Sequence, residues 1–159
     1  MRDIFFRGKR VDNREWVHGN LINNVFVFSK TGEDIPYILC VENIDYYSFE
    51  DIVEDNGIYE VIPETVGQYT GLNDKNGKKI FEGDILKQYA DTTELGTDLY
   101  FFYKVGFDES CGKFCGSING TELYYFDDLT DSEVIGNIFD NPELLKDGED
   151  IWIKKNLMK

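Results

Sequence analysis

Short apolar runs alternate along this chain with clusters of Gly, Asn, Asp and Pro, and that spacing predicts strands joined by turns. Ile4-Phe5-Phe6-Arg7 reads as a first strand, with Gly8 as a bulge or bend, and Val11-Asp12-Asn13-Arg14 as a turn. Glu15-Trp16-Val17-His18 follows, extended by Leu21-Ile22 and Val25 to Phe28 past Asn23-Asn24, and Ser29 to Gly32 turns the chain again. Tyr37-Ile38-Leu39-Cys40 is a strand entered through Pro36, which cannot donate to a ladder and so belongs at a strand start or an edge. Residues 41–57 keep neither period and read as a loop with a helical turn. Ile58 to Ile62 resumes the strand pattern, and Pro63 ends it.

The densest punctuation lies between Val66 and Leu86, which reads strand, turn, strand, turn, strand. Asn76-Gly77 predicts a two-residue type I′ hairpin turn, because both central positions need positive φ. Glu82-Gly83-Asp84 marks the second turn. Ile85 to Tyr89 and Leu99 to Phe107 read as strands around a loop at 90–98, and residues 108–120 as turns around Lys113-Phe114-Cys115. Glu122 to Phe126 and Glu133 to Ile138 are the last strands. Asn141-Pro142-Glu143 then predicts a short helix, with Asn capping, Pro at the first helical position and Glu in the first turn, stopped at Gly148. The tail from Glu149 to Lys159 reads as a second short helix or a strand.

The pattern therefore predicts a mainly β chain, and 159 residues limit it to one compact domain or two small subdomains. An aromatic content of 15% suits strands, where rings pack on a pleated surface. A formal charge of −15 weighs against direct nucleic-acid binding, which depends on Lys and Arg neutralising phosphates. It leaves room for an acidic mimic of nucleic acid that would inhibit a DNA-handling protein. The charge is uneven: residues 41–64 hold eight acidic side chains and no Lys or Arg, whereas residues 1–30 carry six basic against three acidic. Three cysteines form no closed disulfide framework and suit a reduced cytoplasm; no stretch resembles a signal peptide or a membrane span.

Candidate chemistry is sparse. Cys111-x3-Cys115 with Cys40 and His18 could supply four zinc ligands, but lacks the paired spacing of structural zinc sites, and reduced thiols beside a turn are the simpler reading. His18, the one histidine, shares a strand face with Trp16 and has no sequence neighbour suited to a triad, which points to a packing or half-exposed residue. Asp127, Asp128 and Asp131 lack EF-hand spacing and read as solvated turn residues. Gly71 and Gly77 flank Asn73 to Asn76, but a strand follows where a phosphate loop needs a helix. No catalytic, cofactor-binding or metal-binding residues are expected, and the chain is not expected to be an enzyme.

Three blocks carry a family resemblance. Phe5 to Arg10 through Glu15-Trp16-Val17-His18-Gly19, Glu64 to Leu72 through Glu82-Gly83-Asp84-Ile85-Leu86, and Val134 to Ile138 through Asn141-Pro142-Glu143-Leu144-Leu145 resemble, in order, the blocks of the YopX family of small phage and prophage proteins. Arg14 stands where a turn glycine is common, and the acidic stretch at 41–57 is longer than usual. The resemblance implies a β-rich fold with an SH3-like small barrel, in the cytoplasm of a bacterial host, and brings no catalytic residues. Gly83-Asp84-Ile85-Leu86-Lys87 agrees, as many small barrels open their first strand this way. The expected organisation is an amino-terminal β meander at 1–65, an SH3-like barrel at 66–140 and a carboxy-terminal helix and tail at 141–159. The expected function is an accessory protein that binds another protein or itself, without cofactor or membrane.

Overall fold

The computed structural model describes residues 3–23, 35–40, 57–90, 99–118, 120, 122–126, 129 and 131–145. Expectations for Val25 to Gly32, for 41–56, for 91–98, for Asp127 and Asp128 and for the tail lie outside them. The described residues are mainly β, in two antiparallel sheets. The chain divides into two units, Met1–Tyr69 and Thr70–Lys159.

The first unit contains β1 (Phe6–Lys9), β2 (Trp16–Ile22), β3 (Tyr37–Leu39), β4 (Ile58–Glu60) and the beginning of β5 (Gly67–Asn73), in the order β4-β3-β2-β1-β5. Pro36 sits just before β3, a strand flanked on both sides, and its carbonyl accepts the Val61 N–H at 3.1 Å. Gly8 makes no bulge: β1 pairs with β2 without a register shift, Gly8 opposite Val17. Its role is steric, since a Cβ there would lie 2.9 Å from Val61 Cβ. Ile38 and Val61 are fully buried and anchor this unit's core. Pro63–Thr65 forms a single 3-10 turn fastened by the Thr65 hydroxyl, which donates to the Ile62 carbonyl (2.7 Å) and accepts the Lys9 N–H (2.9 Å).

The β1–β2 turn closes with Arg10 N–H donating to the Glu15 carbonyl at 2.9 Å, and within it Arg14 takes φ +65°. A side chain in that left-handed region costs roughly 1 kcal/mol. Arg14→Gly should therefore raise stability by about 0.5–1 kcal/mol, read as a higher urea midpoint with an unchanged slope.

The second unit holds β6 (Lys79–Phe81), which follows β5 in its sheet, and a five-stranded sheet of β7 (Asp84–Ala90), β8 (Leu99–Asp108), β9 (Lys113–Ile118), β10 (Glu122–Tyr125) and β11 (Glu133–Asn137). The order is β10-β9-β8-β7-β11, every pairing antiparallel. Ile80, Leu86, Tyr103, Val105, Leu129 and Val134 form its buried core. The expected turns around Lys113-Phe114-Cys115 are instead β9. Gly116 there is a packing residue, because a Cβ would meet Leu129 Cδ1 at 2.8 Å and Tyr103 Cβ at 2.9 Å, and Phe114 stacks edge-on with Phe107. The helix expected from Asn141 is, within the described residues, one 3-10 turn at Pro142–Leu145. The Asn141 side chain faces backward to accept the Asn137 N–H, so it does not cap forward as expected.

The hairpin between β5 and β6 also departs from expectation. Asn76 does not take positive φ; Gly77 does, at +84°, after a turn in which Gly77 N–H donates to the Asp74 carbonyl at 2.9 Å and Asp74 N–H to the Lys78 carbonyl at 2.8 Å. This is a three-residue loop of type I turn plus left-handed glycine. The Asp74 side chain selects it: Oδ1 accepts the N–H groups of Asn76 (2.8 Å) and Lys78 (2.9 Å), while Oδ2 accepts that of Val134 in β11 (3.0 Å). A Cβ at Gly77 would have nothing within 4 Å, so the position is limited by torsion alone. Gly77→Val should cost about 1–2 kcal/mol in a thermal melt, since β-branched residues resist positive φ.

Candidate functional site

Strand register places the chemistry. In the first unit Lys9 pairs with Trp16 and Arg7 with His18, so these four side chains share one face. The Arg7 guanidinium stands 4.7 Å and Lys9 Nζ 5.4 Å from the Trp16 ring, and Arg10 lies 4.1 Å from the Tyr59 ring. Such contacts hold cations over ring faces. His18 is exposed and stacks on Phe5 with ring centroids 6.4 Å apart. Cys40 is half-buried just past β3.

In the second unit Cys111 is exposed in the β8–β9 turn and Cys115 is buried in β9. Asp108 organises that turn: Oδ1 accepts Ser110 Oγ (2.6 Å) and Ser110 N–H (2.9 Å), and Oδ2 accepts Cys111 Sγ (3.2 Å) and the Tyr125 hydroxyl (3.0 Å). The Ser110 hydroxyl, then the Cys111 thiol and the Ser110 amide, hold the Asp108 carboxyl down to about 2. Contact with Cys111 and then with Asp108 pushes the Tyr125 phenol above its ordinary range. Tyr125 stands opposite Cys115 yet reaches Asp108 two strands away, so its ring crosses β9. Burial, followed by the charges of Asp108 and Cys111, raises the Cys115 thiol. Thiol reagents should accordingly modify Cys111 first and Cys115 slowest, by about two orders of magnitude or more, with the Cys115 rate rising in mild denaturant; mass spectrometry of labelled peptides reads the order.

Among the described residues no group of three or more His, Cys, Asp or Glu is placed to hold a metal ion. Asp131 is exposed in a turn before β11, Asn73 ends β5, and Asp74 to Asn76 belong to the turn built on Asp74. None of the sequence candidates converges on a nucleophile with a base among the described residues.

What the register does assemble is the sheet face opposite the second unit's core. Leu86, Tyr103, Val105, Gly116 and Val134 point to the core, so the alternate positions point away from it. Side chains there are Ile85, Lys87 and Tyr89 on β7, Tyr100, Phe102, Lys104 and Asp108 on β8, Lys113, Cys115 and Ser117 on β9, Leu123 and Tyr125 on β10 and Glu133 on β11, with Ile85 and Cys115 buried. Tyr89, Leu123 and Tyr125 are 50%, 46% and 37% exposed. Tyr89 and Tyr100 meet edge-on at 5.5 Å, Lys87 Nζ lies 3.9 Å over Tyr100, and Lys113 Nζ lies 5.5 Å over Tyr125. Sequence reading missed this face because both faces of β8 are aromatic, and a run such as Leu99 to Phe107 has no visible alternation. The signal that could have found it is the lysine placed every second residue among rings, as in Lys87-Gln88-Tyr89 and Phe102-Tyr103-Lys104.

The family model described as YopX protein matches residues 5–146. The chain belongs to the YopX family. Both the cation–ring face of the first unit and the aromatic sheet face of the second therefore lie within the YopX match. The crystal structure of protein EF1440 from Enterococcus faecalis is similar to this YopX chain, with 24% identity, 91% of this chain and 99% of that chain covered, and a TM-score of 0.53. That likeness speaks to the fold. No curated protein matches the chain. No helix among the described residues is long and apolar enough to cross a membrane.

Proposed function

We propose that this YopX chain is a non-enzymatic accessory protein of a phage or prophage that acts in the bacterial cytoplasm by binding another protein or a second copy of itself. The carrying observation is the sheet face of β7 to β10, where three large apolar side chains stay at least one-third exposed beside three lysines. Exposed aromatic residues grouped on a rigid sheet are how binding surfaces present contact area at low entropic cost. The order β10-β9-β8-β7-β11, in which the first strand of the sheet lies beside the last, supports an SH3-like arrangement for this unit. Light scattering after size exclusion, with affinity capture from host lysate, tests the reading. An oligomer or a saturable, stoichiometric partner is expected, and a strict monomer that captures nothing would overturn it.

A further inference from the structure

Resting on that reading, we infer that the sheet face of β7 to β10 is the docking surface and that its occupant is an acidic polypeptide segment bearing aromatic residues. Charge makes the first argument. The chain carries 31 acidic against 16 basic side chains, yet this face presents Lys87, Lys104 and Lys113. Among the described residues two carboxylates share the face by register, Glu133 opposite Lys87 and Asp108 opposite Lys113, and both are engaged. Asp108 accepts from Ser110, Cys111 and Tyr125, and Glu133 pairs with Lys75 at 2.8 Å. With three lysines against two engaged carboxylates among the described residues, the face is locally cationic and selects anionic partners, and charges farther off than a Debye length of roughly 8–10 Å are screened.

Ring geometry makes the second argument. The edge-on pair of Tyr89 and Tyr100 and the tethering of Tyr125 to Asp108 hold the rings before anything binds, so little side-chain freedom is left to lose. Spacing makes a third. Lys87 pairs with Phe102, which puts Lys104 on the diagonal, roughly 7–8 Å away. Alternate residues of an extended peptide recur at about 6.6 Å, so carboxylates two residues apart can meet both ammonium groups.

A polypeptide is favoured over single-stranded nucleic acid, although both use rings and cations. Nucleic-acid affinity accumulates over many neutralised phosphates, and a strand long enough to collect them would run on past three lysines into the field of a protein of charge −15. A short acidic segment presents its charge only where the lysines are.

The test uses the full chain with three probes: a random copolymer of Glu and Tyr, polyglutamate, and oligothymidylate, each fluorescently labelled and followed by anisotropy at low and raised salt. Saturable binding of the Glu-Tyr copolymer is expected, weaker by about tenfold or more for polyglutamate and weakened by salt. Lys104→Glu and Tyr89→Ser, both exposed strand positions, should each lose about tenfold while circular dichroism and melting stay unchanged. Absence of copolymer binding, preference for oligothymidylate, or binding that ignores both substitutions would overturn the inference. If light scattering and capture reveal a partner that still binds the Lys104→Glu and Tyr89→Ser variants, the binding-protein reading survives and this face is not its site.

Discussion

Asp74→Ala should lower stability by about 3–4 kcal/mol, a fall in melting temperature on the order of 15 °C for a unit of this size. The carboxylate is nearly buried and accepts three backbone N–H groups, from Asn76, Lys78 and Val134. Alanine removes the acceptor and leaves the donors behind; the Val134 N–H is buried and cannot recover its loss in water. Asp74→Asn keeps an acceptor oxygen and should cost roughly half as much. The pH dependence gives an independent check. Burial works against the charge, but the N–H groups of Val134, Lys78 and Asn76, with the Lys78 ammonium, outweigh it and hold the carboxyl below its ordinary range. A folded value below the unfolded one means the stabilisation is complete above about pH 4 and is lost as pH falls through the folded value. Urea midpoints measured downward from pH 5 should drop in the wild type, and Asp74→Asn should lose part of that slope.

Gly19→Ala should be comparably damaging. A Cβ at Gly19 would lie 2.1 Å from the Leu39 carbonyl oxygen and 2.7 Å from its carbon, both backbone atoms of β3. No rotamer change relieves a clash with backbone, so β2 and β3 must separate where Asn20, Leu21 and Ile22 pair with Leu39, Ile38 and Tyr37. Ile38 is fully buried at that seam, and opening it costs core packing as well as ladder bonds. A loss of at least about 3 kcal/mol is expected, visible as lost hydrogen-exchange protection at Leu21 and Ile38. Gly106→Ala is the control: with nothing within 4 Å of its Cβ it should stay within about 0.5–1 kcal/mol of wild type.

These two positions also mark what the sequence made legible. The strands themselves were readable: Trp16 to Ile22, Tyr37 to Leu39 and Glu133 to Asn137 carry β-branched and aromatic residues bounded by turn residues, and local chemistry decides them. The Asn76-Gly77 turn was readable as a hairpin but not as its type, because the deciding acceptor is Asp74, two residues earlier, with a third bond to a strand distant in sequence. Glycines misled where their reason is tertiary. Gly8 and Gly116 look like breaks and are in fact contact points for Val61 and for Leu129 with Tyr103. Arg14 worked the other way, since the departure from the family's turn glycine falls on the one non-glycine residue with positive φ among those described. The candidate face depended on knowing which side of β8 meets the core. That is set by Leu86, Val134 and Leu129 packing on Tyr103 and Val105, and no window of sequence contains them together.

The bond from Val134 to Asp74 spans 60 residues, and this gives the molecule an order of assembly. During synthesis the hairpin from Gly67 to Phe81 can close as soon as it emerges, because Asn76, Lys78 and Gly77 are all local to Asp74. Closing a loop of that length waits for the chain and carries its own entropic cost. Until β11 arrives, Asp74 has two of its three bonds and Lys75 lacks both the Ser132 carbonyl and Glu133. The last strand is thus the latch of the second unit, and a nascent chain halted before residue 133 would hold its hairpin but not its lock.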